Sequence, residues 1–230
     1  MKSIAIIPAR SGSKGLKDKN IRLLNGMPLI WYSIQAAITS KCFDEVMVST
    51  DSEKYAEIAR ECGAVVPFLR SERMSMDATS SWDAVQEVLD NYRNMGKEFD
   101  TVMLLQPTSP LRSADDIKKA FSIYQENGAD SVVSVCEVDH SPLWCNVLPE
   151  NRCLDGFIKS EVKESSGRQS LPIYYRINGA IYLTKITDEL GANLYSKSGY
   201  AYIMPQDKSV DIDTELDFRM AEFLLNTQER

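Results

Sequence analysis

Histidine is nearly absent: His140 is the only one in 230 residues. A metal site built on two histidines is therefore excluded, and a serine–histidine triad would have to use this one residue. Cysteine is sparse and badly placed for pairing. Cys42, Cys62, Cys136, Cys145 and Cys153 are odd in number, widely scattered and form no C-x-x-C, so they read as core-filling or free thiols. No apolar run approaches the roughly 18–20 residues that a membrane helix needs. The start, Met1-Lys2-Ser3, lacks a signal-peptide layout, and a cytoplasmic protein is expected. Basic residues are outnumbered, with 26 Lys and Arg against 33 Asp and Glu for a net charge of −7. That balance argues against a general nucleic-acid binder, though not against a small anion in a local basic pocket. Two nucleotide motifs are missing as well: there is neither G-x-x-x-x-G-K-S/T nor G-x-G-x-x-G.

At 43% hydrophobic, the chain can bury the core of one α/β domain. Short β-rich runs alternate with helical patterns. Strands are predicted at 3–8, 45–50, 64–68, 101–106 and 131–138, and helices at 28–40, 52–63, 80–94 and 114–128. Such alternation implies parallel strands joined by right-handed crossovers. The rhythm fails from about His140 to Arg176, a stretch holding Pro142, Pro149, Pro172, Gly156 and Gly167. It far exceeds an ordinary connection of about 2–6 residues, which points to an inserted arm, a lid or an oligomer contact. Regular structure is predicted again at 179–184, at 200–205 and in a terminal helix over 214–227.

Three constellations carry chemistry. The first is "PARSGSKGLKDKN", 8–20, which follows the first strand. Arg10, Lys14, Lys17, Lys19 and Arg22 crowd into this region with Gly12, Ser13 and Gly15 against a single acid, Asp18. A Gly/Ser loop at the carboxyl end of a strand offers amides, and its cations add charge, which suits phosphates. An exposed, solvated basic turn is the alternative. The second is "SVDIDTELD", 209–217. If extended, it projects Asp211 and Asp213 from one face, a pair of hard oxygen donors suited to Mg²⁺; the alternative is that Asp213 caps a helix starting at Thr214. The third is "LLQPTSPLRS", 104–113, where a buried strand delivers Gln106, Thr108 and Ser109 into a loop stiffened by two prolines. It reads equally as a turn before a helix start at Ser113. Arg168 and Arg176 suit a carboxylate clamp or plain surface arginines.

Taken in order, these motifs resemble the bacterial CMP-sialic acid synthetases (acylneuraminate cytidylyltransferases) nearly end to end; "RQSLP", "NGAIY" and "STD" at 49–51 agree. The resemblance implies a Rossmann-like three-layer α/β/α nucleotidyltransferase fold with a mostly parallel sheet and an inserted dimerisation arm at about 140–176. It implies a Mg²⁺-dependent transfer from CTP to a nine-carbon 2-keto sugar acid, in a cytoplasmic homodimer with no nucleic acid or membrane partner. By position, Arg10, Gly12, Ser13, Lys14 and Asn20 would serve the nucleotide's phosphates and ribose. Arg70, Asp77 and Ser81 would enclose its cytidine end, with Thr108 also on the nucleotide. Gln106, Ser109, Arg168, Tyr175, Arg176 and Asn178 would face the sugar, and Asp211 and Asp213 would hold the metal. Arg10, Lys14 and Asp211 would be the catalytic groups. The local positive charge would then serve a triphosphate. One position departs: members using N-acetylneuraminate often carry lysine in an "HPLK"-like stretch, whereas "HSPLWC" has Trp144. Legionaminic and pseudaminic acids therefore stay open as sugars. A Kdo cytidylyltransferase and a non-catalytic nucleotide-binding regulator are the further alternatives.

Overall fold

The run Ser3–Pro8 forms β1, buried along nearly its whole length because both faces of the strand are covered. Ile4 and Ile6 point to one side and Ala5 and Ile7 to the other, by the two-residue period of a strand. The computed structural model describes residues 1–12, 15–76, 79–158, 171–188, 190–191 and 194–228. Within them, β1 is joined by β2 (Leu23–Leu24), β3 (Met27–Pro28), β4 (Glu45–Ser49), β5 (Thr101–Leu104), β6 (Ser131–Glu137), β7 (Tyr175–Lys185) and β8 (Gly199–Ile203). The helices are α1 (Leu29–Ser40), α2 (Glu53–Glu61), α3 (Ser81–Asn94), α4 (Ala114–Glu126) and α5 (Glu215–Gln228).

Six strands make the main sheet in the order β4-β1-β5-β7-β6-β8, while β2 and β3 form a small antiparallel pair. Helices α1, α2 and α4 contribute Ile30, Ile34, Ala56, Ala59, Ile117 and Phe121 to the core on one face. On the other face α3 supplies Val85, Val88, Leu89 and Tyr92. Two of these helices start on designed caps: Ser80 with Asp83, and Ser113 with Asp116, each form a reciprocal capping box.

The sheet is mixed. β1–β4, β1–β5 and β6–β8 are parallel as expected, but β7 runs antiparallel to both β5 and β6. Residues 64–68, expected as a strand, make only one isolated bridge, Val65 to Met47, since Pro67 has no amide to continue a ladder. Regular structure also resumes earlier than expected. Tyr175 and Arg176 pair with Glu137 and Cys136 and belong to β7, not to the irregular segment. The described part of that segment holds a single 3-10 turn, Pro142–Trp144, besides two hydrogen-bonded turns closed by Arg152 and Phe157, and leaves Val147, Leu148 and Leu154 exposed. No helix among the described residues is long and apolar enough to cross a membrane.

Candidate active site

Beyond the carboxyl ends of β1, β4 and β5 the chain forms a cleft of about 650 Å³. The loop after β1 is strapped down at its start. The Ser11 amide and hydroxyl donate to the two carboxylate oxygens of Asp51 at 2.7 and 2.6 Å. Burial works to raise the Asp51 carboxyl, yet the Ser11 bonds, its own backbone amide and the nearby Arg70 charge together hold the group below its ordinary range. Arg10 then enters the cleft and donates from Nη1 to the Ser75 carbonyl at 3.2 Å. Its own carbonyl accepts from Asn20 Nδ2 at 3.0 Å. Gly12 adopts φ +72°, the left-handed region that favours glycine. Gly15 is required for space: a Cβ there would stand 2.7 Å from the Asp213 carbonyl oxygen. The basic loop and the acidic segment thus touch backbone to backbone.

The acidic segment is held by Ile212. Its amide donates to the Thr108 carbonyl at 2.9 Å, and its side chain is buried beside Leu16, Leu24, Leu29 and Phe218. With Ile212 turned inward, Asp211 and Asp213 both line the cleft. The helix cap is not Asp213. Thr214 Oγ1 accepts from the Asp217 amide, and the Asp217 carboxylate accepts in return from the Thr214 amide and hydroxyl. Asp213 is left to accept from Lys19 Nζ at 3.0 Å. Burial pushes the Asp211 carboxyl up, the Thr108 hydroxyl lowers it, and the Asp213 charge raises it again, for a net upward shift. A half-buried carboxylate beside a second, exposed one fits a cation. Among the described residues no group of three or more His, Cys, Asp or Glu could hold a metal. Asp211 and Asp213 would offer a cation two hard oxygen donors, with substrate phosphates and water supplying the rest, as Mg²⁺ prefers.

A third wall comes from the loop after β5. Gln106 and Thr108 line the cleft, whereas Ser109 is fully buried and its hydroxyl has no partner. Arg112, which sequence reasoning passed over, lies beneath this loop. Its Nη1 donates to the Ala180 carbonyl at 2.8 Å and to the Gln106 carbonyl at 3.3 Å, tying the loop to β7. Burial lowers its pKa to about 9. Opposite Ser134 of β6, residues 178–181 of β7 form a bulge in the ladder. Asn178 fills that bulge. Its Oδ1 accepts from Ser134 Oγ at 2.6 Å and its Nδ2 donates to Ser209 Oγ at 2.9 Å. The bulge brings Gly179, at φ +78°, against Gln106 and Asp211. Asn178→Ala should lower stability by about 1–3 kcal/mol, the cost of buried partners left unpaired, in a urea titration. A loss under about 0.5 kcal/mol would show that Asn178 does not hold the bulge.

The expected residues Arg10, Asn20, Arg70, Ser81, Gln106, Thr108, Asp211 and Asp213 all line the one cleft. Arg70 is anchored there by bonds from Nε and Nη2 to the Ser49 hydroxyl and carbonyl. Gly12, Ser109, Tyr175, Arg176 and Asn178 do not line it. Asn178 is buried and fully engaged, Arg176 donates to the Ser209 carbonyl at 3.1 Å, and Tyr175 is half exposed on its strand. Ser13, Lys14, Asp77 and Arg168 lie outside the described residues. Lys19 and Gly15 line the cleft and had not been assigned roles. Lys19 was one cation among several in the sequence, and its acidic partner lies far downstream.

The sequence model of one family, described as cytidylyltransferase, matches residues 4–149. The chain is 38% identical to the CMP-N,N'-diacetyllegionaminic acid synthase of Legionella pneumophila, over 98% of this chain and 97% of that one. It is 42% identical to the N-acylneuraminate cytidylyltransferase of Streptococcus agalactiae serotype V, over 95% of this chain. It spans about half, 52%, of that streptococcal relative's length. Among solved structures it is similar to CMP:2-keto-3-deoxy-manno-octonic acid synthetase complexed with CTP, with a TM-score of 0.72 over 99% of this chain and 100% of that one. The two share 15% identity, so this likeness concerns the fold alone.

Proposed function

This chain belongs to the cytidylyltransferase family of enzymes that activate nonulosonic acids, and from that membership we propose that it makes a CMP-nonulosonic acid from CTP and a nine-carbon 2-keto sugar acid. The observation that carries the reading is the meeting of Arg10 and Lys19 with Asp211 and Asp213 in one cleft beyond the carboxyl ends of β1 and β5. Cations suit the triphosphate, and the carboxylate pair suits the metal that travels with it.

In the proposed reaction the sugar's anomeric oxygen attacks the α-phosphorus of CTP. The bond from that phosphorus to the β-phosphate oxygen breaks, diphosphate leaves with the electron pair, and the hydroxyl loses its proton. No covalent enzyme intermediate is needed, so catalysis rests on positioning and on neutralising charge. Arg10 offers its guanidinium to the phosphates, with its backbone held by Asn20 and by the Ser11–Asp51 strap. Lys14 is assigned to the same phosphates on sequence grounds. Arg70 and Ser81 form the wall at the nucleoside end, with Asp77 assigned there on sequence grounds alone. Gln106 and Thr108 present polar atoms between the two substrates. Mg²⁺ held by Asp211 and Asp213 would neutralise phosphate charge and acidify the attacking hydroxyl.

The sugar is proposed to be an N-acylated nonulosonic acid of the neuraminic, legionaminic or pseudaminic type. Trp144, in the turn after β6, stands where members using N-acetylneuraminate often carry lysine. A homodimer formed through the 140–176 segment is also proposed, supported by the exposed side chains of Val147, Leu148, Leu154 and Ile173. Cytoplasmic location is part of the same proposal.

The test is diphosphate release from CTP with Mg²⁺ and each of N-acetylneuraminate, legionaminate, pseudaminate and Kdo. Release with a nine-carbon acid, abolished by EDTA, is expected. Release with Kdo alone overturns the sugar class, and CTP binding without release to any acid identifies a nucleotide-binding regulator.

A further inference from the structure

We propose that Lys19 is a built-in counter-cation that keeps divalent metal off the acidic pair until a nucleotide offers its ammonium another anion. The inference rests on the reading of Asp211 and Asp213 as metal ligands. It concerns what occupies them beforehand.

Lys19 opens the short turn Lys19–Ile21, directly after the basic loop. Its backbone is fixed from several sides. Its own amide donates to the Leu16 carbonyl at 3.2 Å. The preceding Asp18, at φ +51°, accepts at 3.0 Å from the Tyr55 hydroxyl. The following Asn20 donates to the Arg10 carbonyl. Only the side chain is left to move. It reaches across the cleft to the acidic segment, where Nζ donates to the Ile212 carbonyl at 2.7 Å and to Asp213 Oδ1 at 3.0 Å. The Lys19 side chain is 13% exposed, against 75% for Asp213. An ammonium with so little water around it needs protein acceptors, and these two meet the need.

A divalent ion entering this site meets two costs. It must take the Asp213 carboxylate from Lys19, and it must then sit beside the displaced positive charge. Both costs fall when a triphosphate lies in the cleft, because Lys19 lines that cleft and would find phosphate oxygens within it. Metal and nucleotide thereby favour each other's binding with no movement of the main chain, as a coupling free energy requires. Lys19 thus serves as counter-ion in the empty enzyme and as a phosphate partner in the loaded one.

The test is binding of Mn²⁺ to the full chain without nucleotide, read from the electron paramagnetic resonance signal of the free ion. The proteins compared are the wild type, Lys19→Met, Lys19→Gln, Lys19→Arg and the double variant Asp211→Asn/Asp213→Asn. Removal of a partly exposed opposing charge should tighten Mn²⁺ binding roughly fivefold to tenfold in Lys19→Met and Lys19→Gln. Glutamine can still donate to the Ile212 carbonyl, so agreement between the two neutral variants separates charge from packing. Lys19→Arg keeps the charge and should stay near the wild type. If the neutral variants bind Mn²⁺ no more tightly than the wild type while the double asparagine variant loses it, Lys19 is not the competitor and the metal assignment stands. If the double variant binds Mn²⁺ unchanged, the metal assignment fails and this inference with it.

Discussion

Replacing Asp211 by asparagine should slow diphosphate release from CTP by about 10²–10³-fold, the usual effect of losing one well-placed charge from a site where charge develops. The same variant should be at least as resistant to denaturant as the wild type. Asp211 is held by burial in a state that disfavours its charge. Because its folded pKa is raised, its ionisation opposes folding once the pH passes its ordinary range. The asparagine variant escapes that penalty. Its advantage should be absent in acid, where the carboxyl is protonated in both folded and unfolded chains, and should grow as the pH rises from the ordinary carboxyl range toward the raised folded value. Urea titrations at several pH values check the stability, and a diphosphate-coupled assay checks the rate. A variant that turns over like the wild type would remove Asp211 from the reaction. A variant that loses stability at neutral pH would show that the carboxylate is a structural necessity instead.

Gly15→Ala should be nearly as damaging to activity, for a reason of space. The added Cβ would stand 2.7 Å from the Asp213 carbonyl oxygen, and the obstacle is backbone that cannot rotate away. Either the basic loop or the acidic segment must retreat. A displacement of about 1 Å between groups that must act together can cost about 10²-fold in rate. The stability cost should be smaller, about 1–3 kcal/mol, as for other overpacked contacts. Measured turnover and a thermal melt separate the two effects. An alanine variant within about twofold of wild-type turnover would mean that the close approach of loop and acidic segment has no part in the reaction.

The contrast between these two positions shows what could be read before the structure was seen. Asp211 announces itself through its residue type and through the two-residue spacing to Asp213. Gly15 looked like one of two glycines in a basic loop. Its necessity arises from a carbonyl that lies far along the chain. The positive charge of that loop behaves likewise. Composition and the family resemblance suggested that it serves a triphosphate, yet part of it holds the protein together. Arg22 makes paired bonds to Glu215 at 2.6 and 2.9 Å and lies over the Phe218 ring, fastening the loop to the start of α5. Lys19 is engaged with Asp213 in the same way. Such pairings join residues more than 190 positions apart, and local pattern carries no trace of them.

The strands tell a related story. Apolar runs at 101–104 and 179–184 are legible as buried strands because both faces meet core. Their burial says nothing about direction, so the reversal of β7 was not visible. The role of Asn178 was hidden by the same limit. "NGAIY" was matched to a sugar-facing region, whereas the bulge it builds is stabilised by Ser134 and Ser209, whose proximity depends on which strands are neighbours. Thr214 was hidden more shallowly. Thr214 and Asp217 have the spacing of a capping pair, which placed the start of α5 one residue later and released Asp213 for the cleft.

The position of β7 also governs how the molecule is made. It is the seventh strand among the described residues, yet in space it separates β5 from β6 and is hydrogen-bonded to both. Until residues 175–185 leave the ribosome, the β5 edge of the β4-β1-β5 unit has no partner, and β6, whose other neighbour β8 follows later still, is unpaired on both sides. Unpaired, strongly apolar edges are where misassociation between chains begins. Contacts spanning this much sequence are slow to form. The reactive cleft, whose acidic segment follows β7, is therefore completed only after that strand has emerged, and a chain terminated before residue 211 has a basic loop without its carboxylates.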